Sequence, residues 1–226
     1  MTVLVVAAHP DDEVLGAGAT MARFASEGRA VHSLILGEGA TSRADRQADG
    51  DQAEVAALAE ASREAAARLG TAPPVHAGFP DNRFDHVDLL DIVKVVAEQV
   101  ARVRPTLVLT HHIGDLNIDH ELTARAAITA TRPEPGQSVR TVLSFEVPSA
   151  TGWNFTAARP PFAATTFFDV TDTLAAKLHA LEAYADELRP FPHARSLEAI
   201  SAGAARWGSL VGVAAAEPFE LVRTVR

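Results

Sequence analysis

MTVLVVAAHPDDEVLG, residues 1–16, runs an apolar segment straight into His9-Pro10-Asp11-Asp12-Glu13. Residues 3–8 are apolar at every position, the pattern of a strand covered on both faces in the middle of a parallel sheet. An imidazole and three carboxylates then crowd the mouth of that strand. Such a group repels itself at neutral pH unless a cation sits within it, so the stretch predicts both a buried α/β sheet and a metal site at its edge.

Working outward, apolar strands and helical patterns alternate. A helix over 16–27 stops at Gly28, a strand covers 30–36, and an alanine-rich helix over 52–69 ends at Gly70. A short strand near Val75 follows, then a helix over 87–102 with apolar residues at Leu89, Leu90, Ile92, Val93, Val96 and Val100. Strands are predicted at 106–110, 141–147 and 165–170, and helices at 120–131, 173–188 and 196–205. This is the rhythm of βαβ units around a mostly parallel central sheet, an α/β fold. With 226 residues, no internal repeat and no long linker, a single domain over 1–226 is expected, with 130–138 as its most flexible connection. Two loops, 37–50 and 147–161, are long and polar enough to line a site.

Composition narrows the chemistry. Cysteine is absent, so a metal must be held by nitrogen and oxygen donors, and a reducing cytoplasm is the expected location. No signal peptide and no stretch long enough to cross a bilayer are read from the chain, so integral membrane association is not expected. The net charge of −9, without a concentrated basic face, argues against nucleic acid as a partner and favours a neutral or cationic small substrate.

In open parallel sheets ligands bind beyond the carboxyl ends of the strands. The residues that follow successive strands are His9, Asp11, Asp12 and Glu13; Gly37 to Arg43; Gly78 to Arg83; and His111-His112-Ile113-Gly114-Asp115-Leu116-Asn117-Ile118-Asp119-His120. A hydrolytic zinc site needs three protein ligands and an open position for water, and His9, Asp12 and His120 can provide them. Asp11, next in the chain but pointing elsewhere from the turn, is the candidate base for that water, while Glu13 braces the loop or the following helix start. His-Pro-Asp can also be an ordinary turn with an Asp cap. His32, His76, His86 and His179 have no such setting and are read as surface or core residues, and Arg102 and Arg104 as solvated helix face.

With those residues in hand, the chain resembles the LmbE-like or PIG-L family of zinc-dependent de-N-acetylases, in its bacterial branch. The resemblance is carried by AHPDDE at 8–13 and DH at 119–120, with GEGATSR at 37–43, GFPDNRFD at 78–85, HHIGDLNIDH at 111–120, VPSATGW at 147–153, and C-terminal EAYADEL, PFPHARS and AEPFELVR. It implies a Rossmann-like three-layer sandwich, one Zn2+ per chain on His9, Asp12 and His120, Asp11 as general base, and hydrolysis of an N-acetyl group from an amino sugar, sugar nucleotide or glycoconjugate with release of acetate. It also implies sugar contacts from Glu38, Arg43 and Asp81.

Two departures stand out. Where well-known members carry His-Pro-Asp-His, this chain has Asn117-Ile118-Asp119-His120. Asn117 cannot transfer a proton, though it can donate a hydrogen bond to an oxyanion, so His193 in PFPHARS is the candidate second catalytic group, with Asp11 in its second task as the other. In VPSATGW, Gly152 stands where an acid is expected beside Trp153, whose ring can stack on a sugar or pack in the core. Two other readings compete: an amidase or deacetylase of a non-sugar natural product on the same metal site, and a sugar-binding module without turnover. A dinucleotide enzyme is disfavoured because HPDDEVLGAG lacks G-x-G-x-x-G. Alanine-rich faces permit a symmetric homo-oligomer.

Overall fold

The computed structural model describes residues 1–40, 52–155 and 158–225. Seven strands share one sheet in the order β3-β2-β1-β4-β5-β7-β6, with β1 at Thr2–Ala7, β2 at Ala30–Gly37, β3 at Val75–Phe79, β4 at Leu107–His111, β5 at Thr141–Phe145, β6 at Thr166–Asp169 and β7 at Ala216–Thr224. The first five strands run parallel, while β7 lies antiparallel between β5 and β6. Helices α1 (Asp12–Ser26), α2 (Gln52–Leu69), α3 (Leu89–Val103), α4 (Ile118–Ala130), α5 (Leu174–Leu181) and α6 (Leu197–Val211) cover the two faces.

The alternation of β1 shows how the layers are specified. Val3 and Val5 join the core beneath α1, α2 and α5, whereas Leu4, Val6 and Ala8 join the core beneath α3 and α4. All five are wholly buried. Each Val or Leu so placed contributes roughly 1.5–3 kcal/mol relative to an exposed position, which makes β1 a firm base for whatever follows it. Gly16 is required where α1 crosses β5, since a Cβ there would meet the Phe145 ring at 2.1 Å.

The chain leaves β1 towards β2 and β3 on one side and returns to β4 and β5 on the other, so β1 and β4 flank the point where the winding reverses. A crevice opens there between the outgoing loops, the position at which doubly wound sheets bind ligands. Both loops are the carboxylate- and histidine-rich segments singled out above.

Several boundaries differ from expectation. Helix α1 begins at Asp12 rather than 16, because Asp12 and Glu13 fit a helix first turn, where the backbone dipole favours negative charge. The helix expected over 173–188 closes at Leu181 and passes into a 3-10 turn at Glu182–Tyr184. Strand β7 was not anticipated: Pro218 and a half-exposed C-terminal part hide its period. No helix among the described residues is long and apolar enough to cross a membrane.

Candidate active site

The turn from β1 into α1 is strained. Asp11 adopts φ 100°, ψ −32°, a region that an Asp rarely occupies and that costs on the order of 1–3 kcal/mol. Buried Glu13 holds the turn from beneath. One of its oxygens accepts the Asp11 backbone N–H at 3.2 Å and the other the Tyr184 hydroxyl at 2.6 Å. Burial pushes the Glu13 carboxyl up to about 7, against the pull of the Tyr184 bond. Glu13 therefore braces the loop.

That turn points His9 and Asp12 at His120, which β4 and the first turn of α4 deliver from across the crevice. The facing atoms form a near-equilateral triangle: His9 Nδ1 to Asp12 Oδ2 3.2 Å, His120 Nε2 to Asp12 Oδ2 3.1 Å, and His120 Nε2 to His9 Nδ1 3.3 Å. Ligand atoms on a tetrahedral ion with bonds of roughly 2.0–2.1 Å lie about 3.3 Å apart, so the donor set and its spacing both fit zinc. Asp12 is wholly buried, and its Oδ1 has no hydrogen-bond partner among the described residues, as expected of a carboxylate shaped around a cation.

Each imidazole is backed by carboxylates. His9 Nε2 lies 3.0 Å from Asp119 Oδ2 and 3.2 Å from Asp81 Oδ1, and His120 Nδ1 lies 3.2 Å from Asp115 Oδ2. The Asp119 bond places the His9 ring proton on Nε2 and leaves Nδ1 as a donor towards the centre, whereas Asp115 is a charge contact for His120, whose Nδ1 has no acceptor in hydrogen-bond geometry among the described residues. The backing groups are themselves held: Asp119 accepts the Phe84 N–H at 2.9 Å, and Asp115 accepts the Asn117 N–H at 2.9 Å and the Thr151 hydroxyl. His111 completes the wall. Its ring stacks on His120 at 4.0 Å and its Nε2 accepts the Ala8 N–H at 2.9 Å.

The charges follow from this crowding. Burial alone would lower His120, but Asp12 and Asp115 overcome it and push it up to about 9; carboxylates likewise hold His9 well above its ordinary value against burial. Burial opposes the Asp12 charge, yet the neighbouring imidazoles hold it well below the usual carboxylate range. Burial and the charge on His120 push His111 down to about 3, so it is a neutral partner.

Asp11, next to Asp12 in the chain, is 3% exposed, with Oδ2 accepting from Arg195 Nη1 at 2.8 Å. Burial pushes its carboxyl well up, and the Arg195 guanidinium pulls against that shift. Arg195 also forms one wall of a cavity of about 270 Å³ with Ser149, Trp153, Glu187, Arg189 and His193. His193 thus lies next to the Asp11 partner, its Nδ1 accepting the Arg195 N–H at 3.0 Å and its ring edge-on to Trp153 at 5.5 Å.

The other expected site residues make the following contacts. Asn117 caps α4, its side-chain oxygen accepting the Asp119 N–H at 2.8 Å, and its amide donates to Asn82 Oδ1 at 2.8 Å. Asp81 is buried, with Oδ1 3.2 Å from His9 Nε2. Glu38 accepts the N–H groups of Ala40 and Asp81, each at 3.1 Å, and ties the second and third loops together. Arg43 lies outside the described residues. Among the described residues, His32, His76, His86 and His179 take no part in the His/Asp clusters. Residue reading missed the tasks of Asp115, His111 and Arg195. The first had a signal, since each ligand histidine needs a partner on its far nitrogen; the last, in a loop remote in sequence, had none.

Comparison with known proteins bears on this geometry. The family model "PIG-L: GlcNAc-PI de-N-acetylase" matches residues 4–131. An uncharacterized deacetylase of Escherichia coli (strain K12), YaiS, is 30% identical over 152 residues, covering 65% of this chain and 74% of that protein. The 1D-myo-inositol 2-acetamido-2-deoxy-alpha-D-glucopyranoside deacetylase of Rhodococcus erythropolis (strain PR4 / NBRC 100887) is 31% identical over 166 residues, 60% of this chain and 56% of that one. Among solved structures, GalB, the 4-carboxy-2-hydroxymuconate hydratase of Pseudomonas putida KT2440, superimposes with a TM-score of 0.78 at 24% identity, over 100% of this chain and 97% of that chain; this likeness is one of fold.

Proposed function

From the premise that the chain belongs to the PIG-L family, whose members are metal-dependent deacetylases, we propose that it hydrolyses the N-acetyl group of an amino sugar or its glycoconjugate on one zinc ion held by His9, Asp12 and His120. The observation that carries this reading is the triangle of donor atoms, 3.1–3.3 Å on each edge. The Rhodococcus relative, named for a 2-acetamido-2-deoxyglucopyranoside, supports the substrate class. Zinc at this position supplies Lewis acidity towards the acetamide oxygen and lowers the pKa of water.

The chain's own groups do the rest. Asp11 accepts a proton from the attacking water and holds it beside the scissile amide. The leaving amine needs a proton, which Asp11 returns or His193 gives as an imidazolium; protonating that ring costs it the hydrogen bond by which Nδ1 accepts the Arg195 N–H. Trp153, 43% exposed in the same cavity, offers a face for the sugar ring.

Metal analysis combined with acetate release from a panel of N-acetylated sugars, sugar nucleotides and glycolipid fragments tests the reading. Wild type should release acetate and lose that activity with a chelator. Asp11→Asn should keep its zinc and lose about 10²–10⁴-fold in kcat, the usual share of a general base. A panel with no acetate release, or an Asp11→Asn protein as active as wild type, would overturn it.

A further inference from the structure

We propose that Arg195 is the positioning residue of the base, a guanidinium that aims the Asp11 carboxylate at the attacking water; this rests on the reading of Asp11 given above. The contact joins residues 184 apart and comes from a part of the chain beyond residues 4–131, where the family model ends. Within the HPDDE turn the charged groups that act on Asp11 are the acids Asp12 and Glu13.

The guanidinium is fixed from three sides. Its Nη1 donates to Asp11 Oδ2 at 2.8 Å, its Nε donates to Ser149 Oγ at 2.7 Å, and Glu187 Oε2 lies 3.6 Å from Nη1. The Arg195 side chain is 24% exposed and the Asp11 side chain 4%, so the bond is shielded from the solvent competition that empties surface ion pairs of value. Asp11 already has a fixed, left-handed backbone, and anchoring Oδ2 stops rotation of the carboxyl group as well. What remains is an oxygen presented at one angle, which proton transfer in a defined geometry requires. A side chain serving only to strap the 189–196 loop onto α1 would not need to end on the one carboxylate assigned to chemistry.

The test compares wild type, Arg195→Ala and Arg195→Lys on the panel member that wild type hydrolyses. Arg195→Ala should lose about 10–100-fold in kcat, the range for groups that orient a catalytic or ligand side chain, with zinc content and KM near wild type. Guanidinium ion at concentrations far below denaturing should restore part of that loss in Arg195→Ala and none in wild type. Arg195→Lys should recover part of it, as a charge without the planar fork. Unchanged kcat in Arg195→Ala, or a loss that guanidinium and lysine both fail to relieve, overturns the proposal. Thermal unfolding of the Arg195→Ala, Asp11→Asn and double variants adds a measurement independent of turnover. Non-additive stabilities support the pairing, and additive ones overturn it. If wild type releases no acetate from any compound, the deacetylase reading fails and the unfolding cycle alone decides the pair.

Discussion

The two walls of the site are built differently. The wall formed by the ends of β1 and β4 is an interlocked set of buried groups: three facing donors, carboxylates behind both imidazoles, and backbone N–H groups behind those carboxylates. The opposite wall, from residues 149–195, is a half-open cavity joined to the catalytic turn through the bond between Arg195 and Asp11. The first suits a cation and leaves no room for variation; the second can change with little disturbance to the metal ligands. On the proposed function, the first wall would carry the reaction and the second the contacts to substrate. The hydratase that shares this fold illustrates why the fold alone decides neither.

The largest effect should come from breaking the first wall. Asp12→Ala removes a ligand and leaves two imidazoles without their shared carboxylate, so zinc content and acetate release should both fall by more than the roughly 10–100-fold expected of an orienting group. Zinc binding should also carry a proton signature. His120 is held at about 9 in the metal-free protein against about 6.5 unfolded, so its charged form stabilises the fold fully below about pH 6.5, and that support fades as pH rises through about 9. A metal needs the neutral ring, so binding near pH 7 should release its proton, and the gain in Tm on adding zinc should grow between those limits. Calorimetry in buffers of different ionisation enthalpy measures the release. A Tm gain that does not change with pH would remove His120 from the ligand set.

A smaller effect sharpens the comparison. Asp115→Ala takes the carboxylate from behind His120 without touching the donor triangle, and should weaken zinc affinity about 10–100-fold. Competition with a chromogenic chelator reads this directly. An unchanged affinity would mean that His120 is held by its stacking on His111 alone.

The first wall was legible because its chemistry is dense and local. An uninterrupted apolar strand followed by His9, Asp11, Asp12 and Glu13 specifies both a sheet and a cation, and Asp119-His120 after another strand supplies the missing ligand. The second wall was legible only in part: Trp153 and His193 stood out in the sequence and do line it, but the residue that joins them to the turn did not. Arg195 acts on a residue 184 positions away, and no spacing rule connects them; nor does sequence show that the carboxylates of Glu38 and Asp81 are engaged by Ala40, His9 and each other's loops. Strand β7 escaped for a related reason: as the antiparallel strand between β5 and β6 it is buried at one end and exposed at the other, so neither a continuous apolar run nor a clean alternation marks it.

The smallest effect separates two residues that the sequence put forward for the same task. Asn117 caps α4 and bonds Asn82, whereas His193 faces the cavity beside Trp153 and Arg195. Asn117→Ala should therefore lower stability by about 1 kcal/mol, the usual value of a lost N-cap, with kcat within a few-fold of wild type. His193→Ala should do the reverse, leaving Tm nearly unchanged while lowering kcat, because the leaving amine loses a proton donor but the Arg195 bond to Asp11 stays in place. Unfolding curves and steady-state rates on both variants give the answer. A His193→Ala enzyme with unaltered kcat would assign both proton transfers to Asp11, and a collapse of kcat in Asn117→Ala would return that amide to the oxyanion.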